Sequence, residues 1–335
     1  MPGERPPATA ERLAQVDANW RAACYLGAAQ LYLRENALLR RPLAAEDIKD
    51  RLLGHWGTQP GLNLLYAHLS RLIQDTSAEI LNITGPGHGA PGILASLYLE
   101  GTLTEMYPKY SWDEHGLTQF VHDFSWPGGW PSHVTALTPG AVNEGGELGY
   151  SLAHAFGAAF DNPDLVVACV IGDGESETGP LSASWQSNKF LDPAVDGAVL
   201  PILHLNGYKL SGPTLPARIP PAELASYLSG CGYESREVSG KVPATVHQDL
   251  WSALDWAYDR IVQIQTEARS GRGTRPPRWP ALILRTPKGW TCPKEIDGRA
   301  LEGTFHAHQI PVEDPKTNPS HLKILEGWLR SYRPQ

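Results

Sequence analysis

Leu165-Val166-Val167-Ala168-Cys169-Val170-Ile171-Gly172-Asp173-Gly174-Glu175 is the stretch that decides the fold. Its apolar run, rich in β-branched residues, has the length of a buried strand and breaks off in Gly-Asp-Gly. A second run, Ala198-Val199-Leu200-Pro201-Ile202-Leu203-His204-Leu205, breaks off in Asn206-Gly207-Tyr208. In an open parallel sheet, ligands sit outside the carboxyl ends of the strands. The Asp173 carboxylate and the Asn206 amide oxygen brought together there make an oxygen-only corner. Mg²⁺ prefers such a site, taking a few protein oxygens and the rest from phosphates or water. The glycines around Asp173 let the backbone turn sharply and approach a diphosphate. Gly-Asp-Gly alone is common in tight turns. The matched Asn at the end of the next strand favours a metal–diphosphate site.

Composition narrows the class. At 335 residues the chain holds one large or two modest domains, and 41% apolar content supports a substantial core. The net charge of -8 is carried by interspersed residues, which gives no nucleic-acid footprint. The basic cluster 269–278, interleaved with Gly and Pro, reads as a solvated loop. Cys24, Cys169, Cys231 and Cys292 are scattered without a CxxC pair, which is the usage of a reducing compartment. No apolar h-region opens the chain and no run approaches the roughly 18 apolar residues of a membrane span. A soluble, cytoplasmic protein is expected.

Apolar spacing predicts helices over 11–39, 45–53, 62–75, 93–99, 147–160, 181–190, 222–230, 247–269 and 321–332, and strands over 79–84, 165–171, 198–205 and 280–285. Residues 1–10 read as a disordered tail. Residues 107–138, rich in Trp, Pro, Gly and His, have no period and read as a functional loop. Strand–helix alternation predicts one α/β domain over 11–335, a doubly wound parallel sheet with a helical N-terminal extension over 11–78.

Several groups in glycine-rich loops are candidates for chemistry. His55 lies in GHWGT, His88 in GPGHG, His133 in the aromatic loop, and His308 in a polar turn. Lys288 follows the last main strand. Any one of them alone is more commonly structural. Loop histidines beside glycine have little packing role, however, and an imidazole near pKa ~6.5 exchanges protons at working pH. Converging on one cleft, they suit an anionic substrate and repeated proton transfer.

The pair formed by Gly172-Asp173-Gly174 and Asn206 resembles the diphosphate-binding motif of thiamine-diphosphate enzymes. The usual second Asn is replaced by Gly207, which leaves Tyr208 to supply a backbone oxygen. The segments GHWGT (54–58), GPGHG (85–89), FSWPGGWPSH (124–133), EGGELGYSLAHAFGAAFDNPDL (144–165), GDGESETGPL (172–181), SNKFLDP (187–193), ILHLNGYK (202–209), RTPKGW (285–290) and HAHQIP (306–311) occur in order. Together they resemble the N-terminal, diphosphate-binding half of the phosphoketolases, from about residue 20 to residue 332. The resemblance implies the thiamine-diphosphate-binding fold, with thiamine diphosphate and Mg²⁺ as cofactors. Asp173, Asn206 and Tyr208 match the metal ligands. His88, Gly146, Asp173, Gly174, Glu175, Asn206, Tyr208 and Lys288 match the cofactor contacts. His55, His88, His133, His308 and Lys288 match the catalytic groups, with His88 and His308 nearest the reacting carbons.

The implied reaction is phosphorolytic C2–C3 cleavage of xylulose 5-phosphate or fructose 6-phosphate to acetyl phosphate and an aldose phosphate. Thiamine-diphosphate enzymes of this kind bind the cofactor between two domains. The matching segments cover only the diphosphate side, so the pyrimidine-binding and C-terminal domains are expected in cis or on a second polypeptide. A homo-oligomer is expected, with no nucleic-acid or membrane partner. The family pattern has His where Asn143 stands before Glu144, another His at Gln186 beside Trp185, and Gly at Cys292. Three alternatives remain open: another transketolase-like enzyme, a non-catalytic cofactor-binding or interaction remnant, and a nicotinamide dehydrogenase built on Gly85-Pro86-Gly87-His88-Gly89. Pro86 and Pro91 stiffen that last turn, which argues against a dinucleotide loop.

Overall fold

The computed structural model describes residues 5–273 and 276–334. Its centre is a five-stranded, all-parallel sheet: β1 (Glu79–Thr84), β2 (Leu165–Gly172), β3 (Ala198–Leu205), β4 (Tyr233–Ser239) and β5 (Trp279–Arg285), in the order β1-β2-β3-β5-β4. Every pairing is parallel, with Ile83 opposite Cys169, Val170 opposite Ile202 and Leu203 opposite Ile283. Parallel strands need long crossovers, and such sheets are stable only when both faces are covered. β3 is accordingly buried along its whole length, and β2 and β5 nearly so. This is the expected α/β architecture.

Three N-terminal helices pack on one another, with the second also against β1: α1 (Ala10–Tyr32), α2 (Gln59–Thr76) and α3 (Ala90–Leu99). Thr9 caps α1, its hydroxyl accepting from Arg12 N. The helix stops short of the expected residue 39, because Leu33 leaves the helical conformation and bridges to Ile48. The expected second helix over 45–53 is only a single 3₁₀ turn, Ala45–Asp47. Lys49, just beyond it, is buried and donates to the carbonyls of Gln30 (2.7 Å), Val121 (2.9 Å) and Phe124 (2.7 Å).

Two elements depart from expectation in kind. Residues 107–138 are not wholly irregular: Glu114–Asp123 is a helix, capped by Asp113 Oδ1 accepting from Gly116 N at 2.8 Å. The polar stretch after Gly230 is β4, an edge strand on which only Tyr233 and Val238 are buried. The expected disordered tail 1–10 and the basic loop 269–278 each fall partly outside the described residues. Arg5, which is described, pairs with Asp259 at 2.6 Å. All four cysteines are free and buried. No helix among the described residues is long and apolar enough to cross a membrane.

Candidate cofactor and substrate site

The carboxyl ends of four adjacent strands converge. β1 runs into the loop holding His88, β2 into Asp173, β3 into Asn206, and β5 into the turn holding Lys288. Strand order β1-β2-β3-β5 therefore sets these groups side by side. Two loops from distant parts of the chain complete the site. Backbone hydrogen bonds Trp56 N to Gln309 O (2.8 Å) and Gly57 N to His308 O (3.1 Å) zip the His55 and His308 segments together. Val134 N to Gly87 O (3.0 Å) brings His133 beside His88. The result is a cavity of 310 Å³ lined by all four histidines with Asp173, Gly174, Glu175, Asn206, Tyr208 and Lys288.

The imidazoles form one cluster. His55 lies edge-on to His88 (ring centroids 5.1 Å), His133 (5.5 Å) and His308 (5.2 Å), and His88 stacks on His308 at 5.3 Å. Burial is the largest influence on the protonation of His55, His88 and His308. It holds His55 down to about 4 and His308 to about 3, with the neighbouring Lys288 charge adding to both, and it pushes His88 well below its usual value. The expectation of imidazoles titrating near 6.5 is corrected for these three, which are neutral donors and acceptors at neutral pH. Nδ1 of His55 and Nδ1 of His308 are buried without a hydrogen-bond partner, leaving them free for a ligand.

Asp173 is 3% exposed, and burial raises its pKa despite Lys288 and its hydrogen bonds. Oδ1 accepts from Gly174 N (2.9 Å), and Oδ2 from Gly207 N (2.6 Å) and Thr214 Oγ1 (3.2 Å). Gly207 has φ +95°, which turns the chain back so that its N–H meets the carboxylate. That backbone angle suits Gly at the position where the general thiamine-diphosphate motif has a second Asn. Asn206 Oδ1 accepts from Tyr208 N at 3.3 Å, and Lys288 Nζ donates to Tyr208 O at 2.7 Å. The donor set fits a hard divalent cation: a buried, under-neutralised carboxylate, an amide oxygen and a carbonyl that already attracts positive charge. Among the described residues no group of three or more His, Cys, Asp or Glu is arranged to hold a metal.

Glu175 and Gly146 are placed differently from these. Glu175 is 2% exposed and lines the cavity, but both carboxylate oxygens face protein donors. Oε1 accepts from Ser151 Oγ (2.6 Å) and Gly149 N (3.2 Å), and Oε2 from Gly172 N (3.2 Å). Its evident work is to tie the Gly-Asp-Gly turn to the start of the helix Ser151–Ala159. Gly146 is exposed and does not line the cavity. Asn143, Glu144, Trp185, Gln186 and Cys292 do not line it either.

Several supporting residues carry no local signal in the sequence. Thr214 holds Asp173 from a separate loop. His204, inside the apolar run of β3, is buried between Thr58 Oγ1 (3.1 Å from Nδ1) and Thr286 Oγ1 (3.3 Å from Nε2). Leu148 and Leu210 line the cavity yet remain 40% and 57% exposed, an apolar rim around a polar centre.

Solved structures with the same fold are transketolases. The Campylobacter jejuni transketolase superposes with a TM-score of 0.60 at 14% identity over 94% of this chain and 43% of that one. The Leishmania mexicana transketolase gives 0.56 at 18% identity, over 98% and 45%. The fold is therefore that of the transketolase-like α/β proteins. The family is narrower: the model of the XFP N-terminal domain matches residues 7–335, and the chain belongs to that family. Among curated relatives, the probable phosphoketolase of Streptomyces avermitilis is 58% identical over 327 residues, 98% of this chain and 41% of that protein. That of Rhodopseudomonas palustris (strain HaA2) is 59% identical over 321 residues, 96% and 41%. The chain thus spans about two fifths of the length of these relatives.

Proposed function

We propose that this chain is the diphosphate-binding part of a thiamine-diphosphate-dependent phosphoketolase. The complete site converts a ketose phosphate, xylulose 5-phosphate or fructose 6-phosphate, and inorganic phosphate into acetyl phosphate, an aldose phosphate and water. The observation that carries this reading is the convergence of Asp173, Asn206, Lys288 and the four-histidine cluster on one cavity at the carboxyl ends of adjacent strands. Asp173 and Asn206 side chains and the Tyr208 carbonyl hold Mg²⁺, and Lys288 answers the diphosphate charge. When bound, thiamine diphosphate supplies the carbon nucleophile and the electron sink.

The chain's own groups supply orientation and proton handling. Neutral His55 and His308 each offer one donor and one acceptor nitrogen, enough to fix the vicinal hydroxyls of a sugar, with His133 beside them. An anionic substrate raises the imidazole pKa values by its charge, so His88 or His308 takes up a proton on binding and delivers it to the departing hydroxyl. A surface covering the open side of the cavity would exclude water from that transfer. A cytoplasmic setting agrees with the four buried thiols. The apolar rim of Leu148 and Leu210 is suited to a covering surface, supplied by the pyrimidine-binding part in cis, by a second polypeptide, or by a second copy in a homo-oligomer.

Calorimetric titration with thiamine diphosphate tests this, with and without Mg²⁺, comparing the chain with Asp173→Ala. Mg²⁺-dependent binding that disappears in the variant is the expected result. Equal binding by both proteins, or none by either, would overturn the assignment.

A further inference from the structure

Lys288 and a divalent cation make claims on the same oxygen, the Tyr208 carbonyl. Lys288 Nζ donates to Tyr208 O at 2.7 Å; burial lowers its pKa to about 8, and the charge of Asp173 opposes that shift and keeps the ammonium form at neutral pH. Lys288 is 2% exposed, and its stem is fixed in place. A Cβ added to Gly57 would lie 2.5 Å from Lys288 Cε and 2.9 Å from Ala307 O, so the stem runs through a slot that only glycine leaves open. The side chain cannot simply swing clear of the site.

A carbonyl oxygen has two lone pairs, so the hydrogen bond alone does not bar a metal from Tyr208. The charge does. A dication placed on Asp173 and Tyr208 meets a buried ammonium with little water between them to screen it. A diphosphate reverses the sign of the problem, since its oxygens neutralise both cations at once and give the ammonium donors a partner.

We propose that Lys288 is an internal counter-cation that disfavours metal alone and couples metal binding to diphosphate binding. This rests on the metal–diphosphate reading of the site, and it adds an order: the metal enters with the diphosphate, or after it. Lys288 thus acts as a positioning and selectivity residue as well as a diphosphate contact.

The test is Mn²⁺ titration of the 335-residue chain, read by the electron paramagnetic resonance of free Mn²⁺, with and without inorganic pyrophosphate. Lys288→Met removes the charge and retains most of the stem. It is expected to bind Mn²⁺ alone at least about tenfold more tightly than the wild type, a coupling of ordinary size for linked sites. Pyrophosphate should then sharpen Mn²⁺ binding much less than it does in the wild type. Lys288→Gln, which keeps a donor without the charge, makes the same comparison if the Met variant does not fold.

Unchanged or weaker Mn²⁺ binding by folded charge-free variants overturns the counter-cation role and leaves the metal site standing. Wild-type Mn²⁺ binding no better than that of Asp173→Ala, with pyrophosphate present, overturns the metal site and this proposal with it.

Discussion

Thr214 Oγ1 donates to Asp173 Oδ2 at 3.2 Å, although 41 positions separate the two residues in the chain. The hydroxyl shares that oxygen with Gly207 N, so the carboxylate is held from two sides before any ligand arrives. Preorganisation of this kind lowers the cost of binding a cation.

Thr214→Val removes the hydroxyl and keeps the shape. The Gly207 contact remains, so the fold should survive. The loss of one hydrogen bond to a charged group, about 1.5 kcal/mol, predicts roughly a tenfold fall in Mg²⁺-dependent thiamine diphosphate affinity. Calorimetry on the two proteins checks it, and equal affinities would show that Gly207 alone positions Asp173.

The imidazole cluster ties stability to pH. His55 and His308 are held near 4 and 3 when folded and return to about 6.5 when unfolded. The unfolded chain therefore binds more protons as pH falls below about 6.5, and stability is lost progressively from there toward 4. Asp173 and Glu175, with raised pKa values, act with the opposite sign. The difference between the wild type and a His55→Asn, His308→Asn double variant isolates the imidazoles. Thermal unfolding from pH 7 to pH 5 should lower Tm distinctly more in the wild type. Parallel profiles would mean that the rings are not the source.

Glu175→Gln places an amide where three protein donors converge. Either Gly172 N alone, or Ser151 Oγ and Gly149 N together, then face N–H instead of oxygen. We expect a stability loss of about 2 kcal/mol, the cost of leaving a buried donor unpaired. The urea midpoint should fall before any change in substrate specificity is seen. A variant as stable as the wild type but unable to bind cofactor would instead make Glu175 a direct ligand.

Lys49→Met strips three buried carbonyls of their donor at the base of the segment that leads to His133. The expected loss is about 1–3 kcal/mol, the cost of leaving buried acceptors unpaired, offset in part because burial already lowers the Lys49 pKa to about 7. Limited proteolysis should detect cleavage near residues 124–134 at temperatures where the wild type resists. Resistance equal to that of the wild type would show that the neighbouring hydrogen bonds hold the segment without Lys49.

Much of the framework is legible in the sequence because burial of both sheet faces imposes a readable pattern. The runs that form β2, β3 and β5 are apolar almost throughout, and the polar residues that end them, Asp173, Asn206 and Lys288, fall where a parallel sheet presents its ligands. β4 escapes because an edge strand with Glu234, Arg236 and Glu237 exposed or partly exposed has no apolar run. The Glu114–Asp123 helix escapes behind its Trp- and Pro-rich surroundings, although Asp113 and the spacing of Leu117, Phe120 and Val121 mark it. Thr214, Thr58 and Thr286 have no local signature, since each acts through a side-chain hydrogen bond made across the fold. The protonation of His55, His88 and His308 is likewise invisible locally, because it depends on how deeply the assembled loops bury the rings.

The zipping of the His55 and His308 segments also bears on how fast the molecule is made. Tyr32 Oη accepts from Val312 N, 280 positions away, and the same neighbourhood joins Trp56 to Gln309. Contacts this remote in the chain close late, because the entropy of the intervening loop is lost before they form. A ribosome must synthesise past Gln309 before the His55 loop meets its partner. Until then the site end of the sheet lacks two of its walls, and its apolar surface stays exposed to misassociation.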